Sequence, residues 1–190
     1  MHSGPAANNP SLGAMSDQPG HTEAPIELAD YDPTWPIRFE AEAAALRASL
    51  QPWLAGPIEH IGSTAVVGLL AKPVIDMMAA VESLSASEPA RAAVAKLGYH
   101  YAPYRPDVMH WFCKPGLTFR THHLHLVPYV SPLWQERLAF RDGLRASAEL
   151  VREYAVLKRQ LAERYPLDRE AYTDAKGPFV RRVLQQTGGR

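Results

Sequence analysis

The stretch from residue 59 to residue 81, EHIGSTAVVGLLAKPVIDMMAAV, constrains the fold of this chain more than any other. An apolar run over residues 58–61 ends at Gly62 and Ser63, and a second apolar run covers residues 74–78. Short runs that contain β-branched residues and are bounded by Gly and Pro predict buried strands. We therefore expect two strands of one β-sheet at the centre of an α/β fold.

The second of these runs carries one acid, Asp76, between an isoleucine and a methionine. A carboxylate in such surroundings costs free energy unless a metal, a cation or several donors accompany it. One interpretation is structural: Asp76 caps a neighbouring turn or pairs with Lys72. The other is a binding site, because a nucleotidyltransferase fold holds a triphosphate and its metal with this same layout of strand, Gly-Ser turn, helix start and acid-bearing strand. There the N–H groups of the helix start bind phosphate and the acid binds the hard cation.

Three histidines stand close together in residues 121–127, THHLHLV. On a strand, alternate side chains share a face, so His123 and His125 point one way while His122 and the leucines point to the core. The two imidazoles then lie roughly 7 Å apart along the strand. At that spacing they can share a phosphate or ligate a metal. The alternative is a polar pair on the surface.

Three blocks of sequence, in this order, resemble the GrpB family of nucleotidyltransferase-like proteins: YDPTWPIRFEAE, HIGSTAVVGLLAKPVID and RTHHLHLV. The resemblance runs from about residue 26 to near the C-terminus. It implies an α/β (α+β) fold in which a small mixed β-sheet has flanking helices and a C-terminal helical region. It also implies binding of a nucleoside triphosphate with a divalent metal, and transfer of a nucleotidyl group to an unknown small acceptor.

The resemblance also implies roles for particular residues. Asp76, His123 and His125 are the expected catalytic residues and ligands of Mg²⁺ or Mn²⁺, with Zn²⁺ as an alternative. The residues expected to bind the nucleotide are His60, Gly62, Ser63, Thr64, Lys72 and Arg120. Lys158 and Lys176 look like the family's basic positions, with solvated helix faces as the alternative.

One position weakens the expectation of catalysis. The usual signature places a second acid two residues after the first, and this chain has Met78 there. Whether the protein is an enzyme therefore stays open at the level of sequence. The alternative functions are a nucleotide- or phosphate-binding module without chemistry, and a partner of another enzyme.

The chain divides into a short tail and one domain. Residues 1–24 are rich in Pro, Gly, Asn and Ser and are expected to be disordered, whereas residues 25–190 have the length for one core. We expect the sheet to use segments that begin near residues 58, 74, 109 and 117, with helices against one face. Residues 26–29 are short enough for an edge strand. Helix starts are predicted at Asp32-Pro33, Ser87, Ser131, Ser147 and Asp168.

Composition excludes several classes of function. The formal net charge is +0 and the pI about 7.1, so no bulk charge points to nucleic acid or a membrane surface. No apolar run approaches the roughly 20 residues that span a bilayer, and the N-terminus does not resemble a signal peptide. A single cysteine, Cys113, cannot form an internal disulfide. It favours a reducing compartment, so we expect a cytoplasmic protein whose partner is a small-molecule nucleotide.

Overall fold

The computed structural model describes residues 25–188, so the predicted tail lies outside the described residues. Within this range the chain forms five β-strands, six α-helices and a 3₁₀ helix at Ser63–Ala65. The strands are β1 (Leu54–Ile61), β2 (Ile75–Val81), β3 (His100–Ala102), β4 (His110–Pro115) and β5 (Arg120–Pro128). The helices are α1 (Trp35–Leu50), α2 (Ala90–Ala95), α3 (Pro132–Arg145), α4 (Ala148–Arg164), α5 (Arg169–Asp174) and α6 (Gly177–Gly188).

The strands form one mixed sheet in the order β1-β2-β5-β4-β3. The central pair, β2 and β5, is parallel, and the other neighbours are antiparallel. The register pairs Asp76 with His123 across the parallel strands and with Ile61 across the antiparallel ones. The mixed sheet with flanking helices confirms the predicted fold class, and the parallel pairing brings together two segments that lie 47 residues apart in the chain.

One face of the sheet, which we call the α1 face, is covered by α1 and α2. The residues of α1 at helical spacing are all buried, as their periodicity predicted: Trp35, Phe39, Ala43, Leu46 and Leu50. They pack on alternate residues of the central strands, among them Met77, Leu124 and Leu126. This face is an apolar core.

The opposite face, which we call the α3 face, is only partly apolar. Met78, Ala80 and Val127 pack there against Leu133 and Trp134 of α3. A third cluster joins the loop after the 3₁₀ helix to α3, α4 and α6, through Val66, Leu69, Leu144, Tyr154, Phe179 and Val183. Helices therefore cover both faces of the sheet rather than one, because α3 crosses the second face before the C-terminal helices begin.

The beginnings of three helices follow the predicted capping residues. The side chains of Ser131, Ser147 and Asp168 each accept a hydrogen bond from a backbone N–H of the first turn. Ser87 does not cap α2, because its hydroxyl donates to the carbonyl of Ser83 and the helix begins only at Ala90. Asp32 instead accepts from the N–H of Thr34, and α1 begins at Trp35.

Two further elements differ from the expectation. The edge strand expected near residues 26–29 is a single bridge between Ala29 and Ala71. The last helix is interrupted: α5 ends at Asp174 and α6 begins at Gly177, which leaves Lys176 in the break. Among the described residues, no helix combines the length and the hydropathy that crossing a bilayer requires.

Candidate functional site

Asp76, His123 and His125 come together on the α3 face, at the start of β2. The Oδ1 atom of Asp76 accepts a hydrogen bond from Nδ1 of His123 at 2.8 Å, and Nε2 of His125 lies 3.9 Å from the same oxygen. The other ring nitrogen of His125, Nδ1, lies 3.3 Å from the sulfur of Met109. The prediction that the two histidines share a face is confirmed by the register, and that face is the one that carries Asp76.

Burial and hydrogen bonding set the charges of this group. Burial alone would raise the pKa of Asp76, but the charge and hydrogen bond of His123, together with His125, hold that pKa well below its usual range. Burial lowers the pKa of His125 to about 4. His125 is therefore neutral at physiological pH.

The donor set does not fit Mg²⁺. This ion prefers several oxygen ligands in octahedral geometry, whereas Asp76 brings one carboxylate that is already engaged by His123. Met78, in the position of the usual second acid, is fully buried in the apolar cluster under α3. Within residues 25–188, no three His, Cys, Asp or Glu side chains are arranged to hold a metal ion. Ligation of a softer ion by Asp76, His123 and His125 stays a prediction.

Gly62 shapes the turn beside Asp76. Its φ of 71° and ψ of −172° are accessible almost only to glycine. A Cβ at this position would lie 2.5 Å from Oδ2 of Asp76, so the backbone of the turn packs directly on the carboxylate. Ser63, which follows, lies near Tyr154 of α4, a buried residue whose hydroxyl has its pKa raised by burial. The Gly-Ser turn thus links the strand acid to the C-terminal helices.

Three lysines from separate segments gather next to this turn, and we call them the lysine cluster: Lys72, Lys158 and Lys176. The Nζ atoms of Lys72 and Lys176 each lie 4.4 Å from the centroid of the Tyr172 ring. Lys158 is buried; it donates to the carbonyl of Leu70, and its Nζ lies 4.8 Å from the centroid of the Tyr154 ring. Two tyrosine rings therefore hold three ammonium groups in one place.

Burial and the repulsion between neighbouring ammonium groups lower pKa values in the lysine cluster. Burial lowers the pKa of Lys158 to about 7, and the charge of Lys176 adds to the effect. The pKa of Lys176 is also lowered to about 7, first by burial and then by Lys72. The charge of Asp76 opposes this shift and the charge of Arg137, on α3, reinforces it, so all of these groups lie within electrostatic reach of one another.

His60 lies on the α1 face beside Thr64, another predicted site residue, and within electrostatic reach of Asp76. Its ring stacks on Phe39 with centroids 4.7 Å apart, and burial lowers its pKa to about 4. Thr64 is buried, and its hydroxyl donates to the carbonyl of Val74. That hydroxyl therefore accepts from Nε2 of His60, at 3.0 Å. His60 lines a separate cavity of about 720 Å³ between α1 and the α3–α4 connection, away from the lysine cluster.

Arg120 lies at the outer edge of the site. Its Nε donates to the carbonyl of Leu117 at 2.7 Å, and its guanidinium lies 5.1 Å from the centroid of the Trp111 ring. The Trp111 ring in turn lies 5.1 Å from that of His123. Arg120 is thus separated from Asp76 by two rings.

Sequence reasoning missed three contributors to the site. Tyr154, Tyr172 and Arg137 were not among the predicted site residues. Tyr154 and Lys158 are four residues apart on α4 and so share one helix face. A lysine on the same stripe as core residues was the available signal, since charged residues seldom occupy such positions without a partner.

Comparisons with known proteins place the chain in a family. Residues 25–186 match the family described as GrpB protein, and the chain belongs to that family. A UPF0157 protein of Pseudomonas aeruginosa is 42% identical over 164 residues, which are 84% of this chain and 66% of that protein. The chain therefore spans a little less than two thirds of that relative's length.

A solved structure and a longer protein extend the comparison. The crystal structure of the conserved protein GrpB from Enterococcus faecalis has a TM-score of 0.76 and 31% identity, and the match covers 85% of this chain and 96% of that one. A dephospho-CoA kinase of Mycolicibacterium paratuberculosis is 27% identical over 186 residues, which make up 83% of this chain and 45% of that protein.

Proposed function

We propose that this protein binds a nucleotide through its phosphates at the lysine cluster beside Asp76. The observation that carries the proposal is the convergence of Lys72, Lys158 and Lys176, from three segments, on two tyrosine rings. Gathering cations that are buried or partly buried costs folding free energy that a bound anion offsets. A polyphosphate supplies several negative charges close together, and lysines are common phosphate partners.

The comparisons support a phosphorylated small molecule as the ligand. The dephospho-CoA kinase that shares a region with this chain is named for a substrate of that kind. Because the formal net charge is +0, the positive charge of the lysine cluster is local to that site. A local positive charge is in keeping with a small ligand rather than nucleic acid.

Transfer of a nucleotidyl group is the second candidate function. The packing of Gly62 on Asp76 favours it, because a turn against an acid-bearing strand is the arrangement from which the sequence predicted that activity. Since Asp76 accepts from Nδ1 of His123, Nε2 is the ring nitrogen left to take a proton, as a general base requires. That nitrogen is buried and meets no hydrogen-bond partner among the described residues. The buried Met78 argues against a two-metal mechanism.

Calorimetric titration with ATP, GTP and inorganic tripolyphosphate tests the proposal. We expect binding of all three, and a loss of affinity of about tenfold or more in Lys72→Met and Lys176→Met, since each removes one charge from the cluster. Lys96→Met, at the exposed end of α2, is the matched control and should bind like the parent. Equal affinity in the parent and in Lys176→Met would remove the lysine cluster from the site.

A further inference from the structure

We propose that the nucleotide binds as the metal-free polyanion, and that the lysine cluster with Arg137 supplies the positive charge that divalent ions supply in a two-metal site. This inference rests on the proposed function and specifies the form of its ligand. It concerns four basic side chains, Lys72, Lys158, Lys176 and Arg137, and the carboxylate of Asp76.

The first step is the state of the carboxylate. One oxygen of Asp76 accepts from His123 at 2.8 Å, and the other faces the backbone at Gly62, where even a methyl group would clash at 2.5 Å. Both oxygens therefore already have neighbours. Met78 on the same strand face has no exposed surface and packs with Ile61 under α3, so no second carboxylate follows along the strand. A divalent ion would gain little from this set of donors.

The second step is the balance of charge. The four basic groups belong to the loop before β2, to α3, to α4 and to the break before α6. The acids whose charges act on Lys176 are Asp76 and Asp174, and Asp174 is the weakest of the influences on it. Around Lys176, three basic groups, counting Lys176 itself, thus face two carboxylates. In a two-metal site the metal ions carry the positive charge and the protein supplies the acids; here the protein supplies the cations.

The third step concerns the form of the ligand. A bound divalent ion neutralises about two of a nucleotide's negative charges and so weakens its attraction to ammonium groups. The carboxylate of Asp76 repels phosphate in this site, and it serves to hold His123 through the 2.8 Å hydrogen bond. An amide at position 76 can still accept from Nδ1 of His123 while removing the repulsion. Asp76→Asn therefore distinguishes a metal ligand from a positioning residue.

Calorimetric titration with ATP at constant ionic strength, in EDTA and in excess Mg²⁺ or Mn²⁺, tests the inference. We expect ATP to bind about tenfold more tightly in EDTA than in either metal. Asp76→Asn, shown to be folded by its thermal melt, should bind ATP in EDTA at least as tightly as the parent does. Asp76→Glu, which keeps the charge, should not bind more tightly than the parent.

The outcomes separate this inference from the function on which it rests. Binding that needs metal, or that is weaker in folded Asp76→Asn than in the parent, would overturn the metal-free ligand and leave nucleotide binding standing. Equal affinity with and without metal would also overturn it, since metal binding would then not reduce the attraction. Failure to bind ATP in every buffer would overturn the proposed function as well.

Discussion

The two faces of the central sheet are built from the same strands and have different chemistry. On the α1 face, Met77, Leu124 and Leu126 lie in an apolar core. On the α3 face, the neighbouring residues Asp76 and His123 form a hydrogen-bonded pair at one end of the sheet. Because side chains alternate along a strand, a polar site can be placed on one face while the other keeps its full apolar packing.

The buried histidines sharpen the comparison, since each face has at least one. His60 on the α1 face and His125 on the α3 face both have pKa values lowered to about 4, chiefly by burial. Their partners differ: His60 contacts Thr64 and Phe39, whereas His125 approaches Asp76. Burial alone therefore does not make a histidine part of a charged site, and what distinguishes the α3 face is the lysine cluster beside it.

The largest effect on stability is expected from truncating a buried side chain on the α1 face. Met77 is fully buried there, and Met77→Ala should lower the free energy of unfolding by about 2–5 kcal/mol through lost burial and a cavity. The ATP affinity of the folded protein should not change, since the side chain points away from Asp76. Urea unfolding and calorimetric titration measure the two quantities. A large change in ATP affinity would show that the two faces are not independent.

Lowering the pH should reduce the free energy of unfolding by similar amounts through His60 on the α1 face and His125 on the α3 face. The pKa values of His60 and His125 are about 4 in the folded state and near 6.5 in the unfolded chain, so between these values the unfolded chain binds more protons. Stability from each histidine is complete above pH 6.5 and falls by about 2–3 kcal/mol as the pH approaches 4.

Urea unfolding from pH 4.5 to 7 measures this loss. His60→Gln and His125→Gln should each reduce the slope of unfolding free energy against pH by a similar amount. An unchanged slope in either variant would show that the corresponding histidine titrates normally.

Raising the pH above 7 should change the free energy of unfolding through the lysine cluster and not through the α1 face. The pKa values of Lys158 and Lys176 are about 7, against an ordinary value of 10.5, so above pH 7 the unfolded chain holds more protons than the folded one. The free energy of unfolding should therefore rise from pH 7 to pH 9, by about 2 kcal/mol for each of the two lysines. Lys176→Met should be more stable than the parent at pH 7 and show a smaller rise; Lys96→Met should behave like the parent.

The smallest expected effect is the difference in stability between alanine variants of two glycines in the same loop region, Gly62 and Gly68. Gly62 and Gly68 both have positive φ, 71° and 78°, so alanine at either position carries backbone strain of about 1–3 kcal/mol. A Cβ at Gly62 would also clash with Asp76, whereas one at Gly68 meets nothing within 4 Å. Gly62→Ala should therefore be about 1 kcal/mol less stable than Gly68→Ala and should also change ATP affinity. Equal stabilities in urea would show that Asp76 moves aside without cost.

Local pattern predicted several elements because their causes are local. The stripe of α1 and the caps at Ser131, Ser147 and Asp168 depend on residues within one or two turns of each other. The shared face of His123 and His125 follows from strand alternation. Pattern failed at Ser87, whose hydroxyl donates to the carbonyl of Ser83 instead of capping α2, and at Lys176, where the last helix breaks.

The sequence by itself determined the strand that carries Asp76, the glycine turn before it, the histidine strand and the likeness to the GrpB family. Tertiary structure alone decided that β2 and β5 are parallel neighbours, so that Asp76 accepts from His123, and that His60 faces the other side. It also decided that three lysines from distant segments meet at two tyrosine rings. The physical reason is that charge and burial depend on distances between segments, which spacing along one segment does not determine.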